Sequence, residues 1–125
     1  MHARVTTLKV PPDRTDDATS YVQEQVLPRL SQMEGFKGFV ALASSESGKL
    51  EGVAFWESEE ALDATDQAVV PIREGVAEAA GGTVVGVERF EVFVFEAPSA
   101  GPLSGVTETV RGATVNLLGG AEKQR

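Results

Sequence analysis

The stretch Gly52-Val53-Ala54-Phe55-Trp56-Glu57-Ser58-Glu59-Glu60-Ala61-Leu62 constrains this chain more than any other, because its side-chain period changes within three residues. Up to Glu57 the residues alternate, with Leu50, Gly52, Ala54 and Trp56 on one face and Glu51, Val53, Phe55 and Glu57 on the other, as a pleated strand requires. From Ser58 the pattern is helical. Ser58 is placed to accept from the free amides of the first helical turn, and Glu59 and Glu60 put negative charge at the positive end of the helix dipole. A strand ending in the single tryptophan and running straight into a helix points to a mixed architecture.

The rest of the chain fits around that junction. Residues 3 to 10 are rich in β-branched types and stop at Pro11-Pro12, which cannot extend a ladder. Ala18, Tyr21, Val22, Val26, Leu30 and Met33 then form one stripe of an amphipathic helix over about 15 to 33, in which Pro28 is predicted to cause a bend. Residues 36 to 43 read as a second strand, joined by the polar turn Ser44 to Gly48 to the strand that ends at Trp56, most simply as an antiparallel hairpin. Ser58 to Ala80 reads as two helical pieces separated at Pro71, with Gly81-Gly82 as the left-handed cap.

Thr83 to Glu96 is predicted to be the longest strand, with Val84, Phe90, Val92 and Val94 on one face and Val85, Val87, Phe93 and Phe95 on the other. Both faces are apolar, so both need cover. The element order is the split βαβ of a ferredoxin-like α+β fold, βαββαβ with an antiparallel sheet. Two helices can cover one face; the other needs a second sheet, the tail or another subunit, and a homodimer packing sheet on sheet would supply that cover. Residues 1–96 form this domain; 97–125 form a C-terminal extension, a linker through Pro102 followed by a short helix on Leu103, Val106, Val110, Ala113 and Leu117.

Composition narrows the chemistry. At 125 residues the chain has room for one domain with a real core. A net charge of -8 with scattered acids argues against nucleic acid as a partner. With no cysteine and one histidine, His2, thiolate catalysis, disulfides, Cys-type zinc sites and a Ser/His/Asp constellation all drop out, and no metal is expected. His2 itself reads as a mobile terminal residue. No apolar run approaches the ~20 residues that span a bilayer, so a soluble cytoplasmic protein without a membrane partner is expected.

Phe36-Lys37-Gly38-Phe39 after the first helix and Phe55-Trp56-Glu57-Ser58-Glu59-Glu60-Ala61 closing the third strand resemble the antibiotic biosynthesis monooxygenase superfamily of dimeric α+β barrels, over about residues 3 to 96. That superfamily includes cofactor-independent quinone-forming oxygenases, haem-degrading enzymes and small proteins without established chemistry. In the quinone-forming members an asparagine, a tryptophan, a tyrosine and an arginine line the substrate cavity. Trp56 stands at the tryptophan position, Gly52 at that of the asparagine and Leu62 at that of the tyrosine; Arg73 takes the arginine position with a short gap. The resemblance implies attack of dioxygen on an electron-rich aromatic or polyketide-like anion without a cofactor, Trp56 positioning the ring and Arg73 stabilising the charge. Haem-degrading members carry an iron-ligating histidine on the second helix, and this helix has none, so no haem is expected there.

Trp56, Leu62 and Tyr21 are thus the candidate substrate-binding residues and Trp56 and Arg73 the candidate catalytic ones. Each has a structural reading beside the functional one: Trp56 and Tyr21 as core, Arg73 as the partner of Asp66, Glu74 or Glu78. The alternative function is a non-catalytic module that binds a small apolar ligand or serves dimerisation and assembly.

Overall fold

We describe a computed structural model of the chain, which covers residues 1–97 and the backbone of residues 107–110 and 113–116. Four antiparallel strands form its centre: β1 (His2–Lys9), β2 (Phe36–Ser44), β3 (Lys49–Trp56) and β4 (Thr83–Glu91). They lie in the order β4-β1-β3-β2. The helical segments α1 (Thr15–Tyr21), α2 (Leu27–Leu30), α3 (Glu59–Ala64) and α4 (Val70–Ala80) fill the two crossovers. This is the ferredoxin-like α+β arrangement read from the sequence.

Register explains what lies beneath the helices. Leu8, Leu50 and Ala43 stand side by side across β1, β3 and β2; the next row is Thr6, Gly52 and Ala41, and the next Arg4, Ala54 and Phe39. The middle row has small side chains in all three strands. Around it the core closes over Leu8, Leu50, Val26, Leu30, Ile72 and Val76, with Trp56 and Leu62 fully buried at one end. Burying each large apolar side chain contributes about 1.5–3 kcal/mol, so helices and sheet are held together chiefly by this layer.

Local chemistry sets the helix limits. Ser58 Oγ accepts from the Ala61 amide at 3.1 Å, and Glu59 and Glu60 follow in the first turn of α3. Pro71 does divide the second crossover. It sits in the first turn of α4, where its missing N–H has no partner to lose. Gly81 caps α4 at φ 67°, a left-handed conformation that a β-carbon disfavours, and the Gly82 amide returns to the Ala77 carbonyl at 2.7 Å. At Pro28, expected to bend the first helix, the backbone departs from regular α-helix. Val22–Val26 forms a π turn, with the Leu27 amide donating to the Val22 carbonyl, and Pro28 falls at the start of α2. The widened turn absorbs the proline, as π turns inside helices do.

Four further expectations are corrected. The ladder of β4 stops at Glu91 rather than Glu96, because its partner β1 begins at His2; one more bond, from the Val92 amide to the Met1 carbonyl, closes the pairing at 2.9 Å. A register shift opposite Thr7 and Leu8 reverses the alternation within β4: Val84 pairs with Leu8 and Phe90 with Ala3, so these two lie on opposite faces. In the C-terminal extension, β5 (Thr107–Val110) and β6 (Ala113–Asn116) are strands where a helix was expected, and β6 adds to the β2 edge. The rest of that expected helix and most of the linker lie outside the described residues. His2, expected to be mobile, pairs with both Trp56 and Glu91.

Candidate functional site

The row of small side chains leaves a cavity of about 90 Å³ between sheet and helices. One water needs ~10–15 Å³ on such a scale, so the space suits roughly six to nine waters. Thr6, Ala41 and Gly52 form its floor; Val22, Val26, Ile72 and Val76 form its roof. Val22 and Val26 belong to the π turn, so the widened helical turn faces the cavity.

Phe39 shapes the floor. Its backbone pairs with Ala54, but its ring leans diagonally across β3 towards Gly52. A β-carbon added at Gly52 would lie 3.1 Å from Phe39 Cζ and 3.3 Å from Cε1. The ring therefore fills the place a side chain at position 52 would take.

Two arginines supply the polar end. Arg4, 4% exposed, points from β1 towards α3, where Nη1 donates to Thr65 Oγ1 at 3.2 Å, Nη2 to the Leu62 carbonyl at 2.9 Å, and Nη2 also pairs with Asp66. Asp66 is shared, its other oxygen lying 3.6 Å from Arg89 Nη1, while Arg89 also pairs with Asp63. Arg73, half-buried on the first turns of α4, lines the cavity with Arg4, and its Nε is buried without a partner among the described residues. Burial pushes the Arg73 guanidinium below the usual arginine value and Arg4 pushes the same way; Asp66 and Glu74 oppose them. A half-buried cation with an unpaired donor on the wall of an apolar cavity is an arrangement that attracts a planar anion.

Of the residues singled out in the sequence, the structure puts Arg73 on the cavity wall and Trp56, Tyr21 and Leu62 away from it. Trp56 is fully buried, edge-on to Phe36 with ring centres 5.5 Å apart, and its indole Nε1 has no partner among the described residues. Leu62 is equally buried and lends its carbonyl to Arg4. Tyr21 packs across Gly75 of α4, where a β-carbon would meet its hydroxyl at 2.4 Å. Sequence reasoning passed over Arg4, Thr6, Phe39 and Ala41. Arg4 carried a readable signal, a charge on the same strand face as Leu8; the others became visible only through register.

Among the described residues no group of three or more His, Asp or Glu side chains converges as a metal site, and no helix is long and apolar enough to cross a membrane.

The sequence model of the family described as antibiotic biosynthesis monooxygenase matches residues 1–68. An uncharacterized protein of Mycobacterium tuberculosis is 35% identical over 92 residues, which make up 74% of this chain and 41% of that protein. The chain thus spans about two fifths of the length of this curated relative. A monooxygenase of Streptomyces coelicolor, solved in complex with nanaomycin D, superposes with a TM-score of 0.61 at 20% identity, covering 78% of this chain and 92% of its own. A haem-degrading protein of Mycobacterium tuberculosis, solved with two haems in its active site, superposes with a TM-score of 0.56 at 22% identity, covering 78% of this chain and all of its own, 100%. At these identities the two solved structures establish the shared fold.

Proposed function

Because this chain belongs to the antibiotic biosynthesis monooxygenase family, which matches 68 of its residues from Met1 onward, we propose that it takes a small aromatic or polyketide-like compound into the cavity under α1 and α4 and oxidises it with dioxygen, without a cofactor. The observation that carries this reading is Arg73, a cation with a free buried donor on the wall of an otherwise mostly apolar cavity. An ionised phenol or enol seated there would have its charge held by the guanidinium and its ring against Val22, Ile72 and Val76. The carbanion form of such a ligand adds to dioxygen, forming a carbon–oxygen bond. The resulting hydroperoxide loses water to leave a carbonyl, so that one oxygen atom enters the product and the other leaves as water.

The cavity offers a cation and apolar walls but few proton acceptors. Its one lining carboxylate, Glu51, is engaged by Thr7 Oγ1 at 3.4 Å and by Lys49 Nζ at 3.8 Å. The arrangement therefore suits substrates acidic enough to ionise themselves, hydroquinones and anthrone-type compounds among them. Oxygen uptake with a panel of such compounds tests this. Arg73→Met should cut the rate at least about tenfold, the loss expected when a charged partner of a developing anion is removed. Product formation at the same rate without oxygen would overturn the oxygenase reading.

A second reading rests on Trp56. It is fully buried and off the cavity wall, and Gly52 contributes no side-chain donor. A non-catalytic binding module fits these two facts, and binding of the same compounds without oxygen uptake would favour it.

We also propose that the outer face of the sheet packs against a second copy of the chain. Phe90, Phe93 and Phe95 are 50%, 92% and 53% exposed, and among the described residues no strand lies beside the segment beyond Glu91. So much uncovered aromatic surface on a small domain marks an interaction face.

A further inference from the structure

Resting on the reading of Arg73 as the cation that receives an anionic ligand, we propose that Arg89 is a positioning residue: together with Arg4 it holds Asp66 away from Arg73 and so keeps that guanidinium open.

Strand register brings the two holding arginines together. Arg4 on β1 stands directly opposite Arg89 on β4, so two like charges face each other across the ladder, which costs stability unless a carboxylate lies between them. Asp66, in the turn after α3, supplies it. Its Oδ1 pairs with Arg4 Nη2, and its Oδ2 lies 3.6 Å from Arg89 Nη1. Arg89 is fixed in turn by Asp63 of α3, which pairs with its Nη2. Both oxygens of Asp66 are therefore taken. Arg73, by contrast, forms no ion pair or side-chain hydrogen bond among the described residues, and its Nε is buried. Burial lowers its guanidinium most and Arg4 next, while Asp66 and Glu74 act the other way, so Asp66 is near enough to be felt without pairing. Glu74 is the next residue along α4, and adjacent positions on a helix do not face each other. Asp66 is thus the carboxylate that competes with a ligand's negative group for Arg73, and releasing Oδ2 from Arg89 lets it do so. Arg89 is not part of the cavity wall; it acts through Asp66.

The test uses the full chain and acetate, a small planar anion, titrated while the Arg73 Nε–H resonance is followed by proton–nitrogen NMR. Loss of one resonance in Arg73→Lys identifies the signal. Acetate should move that signal to saturation in the natural protein. Arg89→Gln should weaken acetate about fivefold, within the range by which members of one charged network couple. Asp66→Asn keeps an acceptor for Arg4 and removes the competing charge, so adding Arg89→Gln to it should change acetate affinity by less than about twofold. Arg89→Leu and Asp66→Ser provide the same comparison where either of these variants does not fold. An equal loss from Arg89→Gln in both backgrounds would mean that Arg89 only adds positive field; it would overturn the positioning role and leave Arg73 as the receiving cation. Unchanged affinity in Arg89→Gln alone would overturn that role in the same way. An Arg73 signal that acetate does not move in the natural protein would overturn the reading of Arg73 itself, and this proposal with it.

Discussion

Arg4 shows how one buried charge can organise a site without being its reactive group. It ties β1 to α3 through Thr65, the Leu62 carbonyl and Asp66, and its charge bears on Arg73. Asp66 is 47% exposed, so solvent screens that ion pair, and the two hydrogen bonds to buried acceptors carry more of the stabilisation. Arg4→Met should therefore lower stability by about 1–3 kcal/mol, the cost of leaving buried acceptors unpaired, rather than by the larger loss expected for a fully buried ion pair. Urea unfolding measures it, and a loss below about 0.5 kcal/mol, within the range of an ordinary surface substitution, would show that Thr65 and Leu62 find other partners. The sequence made Arg73 legible through its helical position. It could not reveal that the Phe39 ring lies over Gly52, since that contact joins residues thirteen apart through strand register alone.

At the scale of elements, the turn from β3 into α3 was readable in full. Alternation ends at Trp56, Ser58 caps, and the acids follow, each step a local matter of side chain and neighbouring backbone. Ser58→Ala should cost about 1 kcal/mol, read as a lowered unfolding midpoint, with Ser58→Gly costing only a few tenths. Equal losses from both would mean that the cap bond to Ala61 is not what holds the helix start. The C-terminal segment was misread for a physical reason. Leu103, Val106, Val110, Ala113 and Leu117 recur at helical spacing, yet five of the eight residues in β5 and β6 are β-branched: Thr107, Thr109, Val110, Thr114 and Val115. With an open β2 edge available to pair with, that preference prevails over a helical period interrupted by glycine. The end of β4 was missed similarly, because where a strand stops depends on where its neighbour begins.

For the whole molecule, the outer sheet face is the feature with the largest consequence. A dimer formed across it would bury Phe90, Phe93 and Phe95, and sedimentation at micromolar concentration should give twice the mass of one chain, 13.2 kDa. Phe93→Glu should shift that mass towards the single chain without lowering the unfolding midpoint of the subunit, since Phe93 packs against little in its own chain. A natural protein that sediments as one chain would remove the dimer. Both greasy faces of the last strand pointed to this need for cover, although the register shift in β4 redistributes which residues supply it.

The hairpin on the β2 edge has an effect on how large an assembly can become. It moves that side of the sheet outward to β5, four residues long, while the opposite side ends in β4, nine residues long. A short outer strand offers few free amides and carbonyls, which is one way natural sheets stop adding neighbours. Fibre growth needs two matching ends on every molecule, and this sheet has one long end and one blunted one. Association through the long end or through the sheet face can close as a twofold pair, and the blunted end stops it from continuing as a filament.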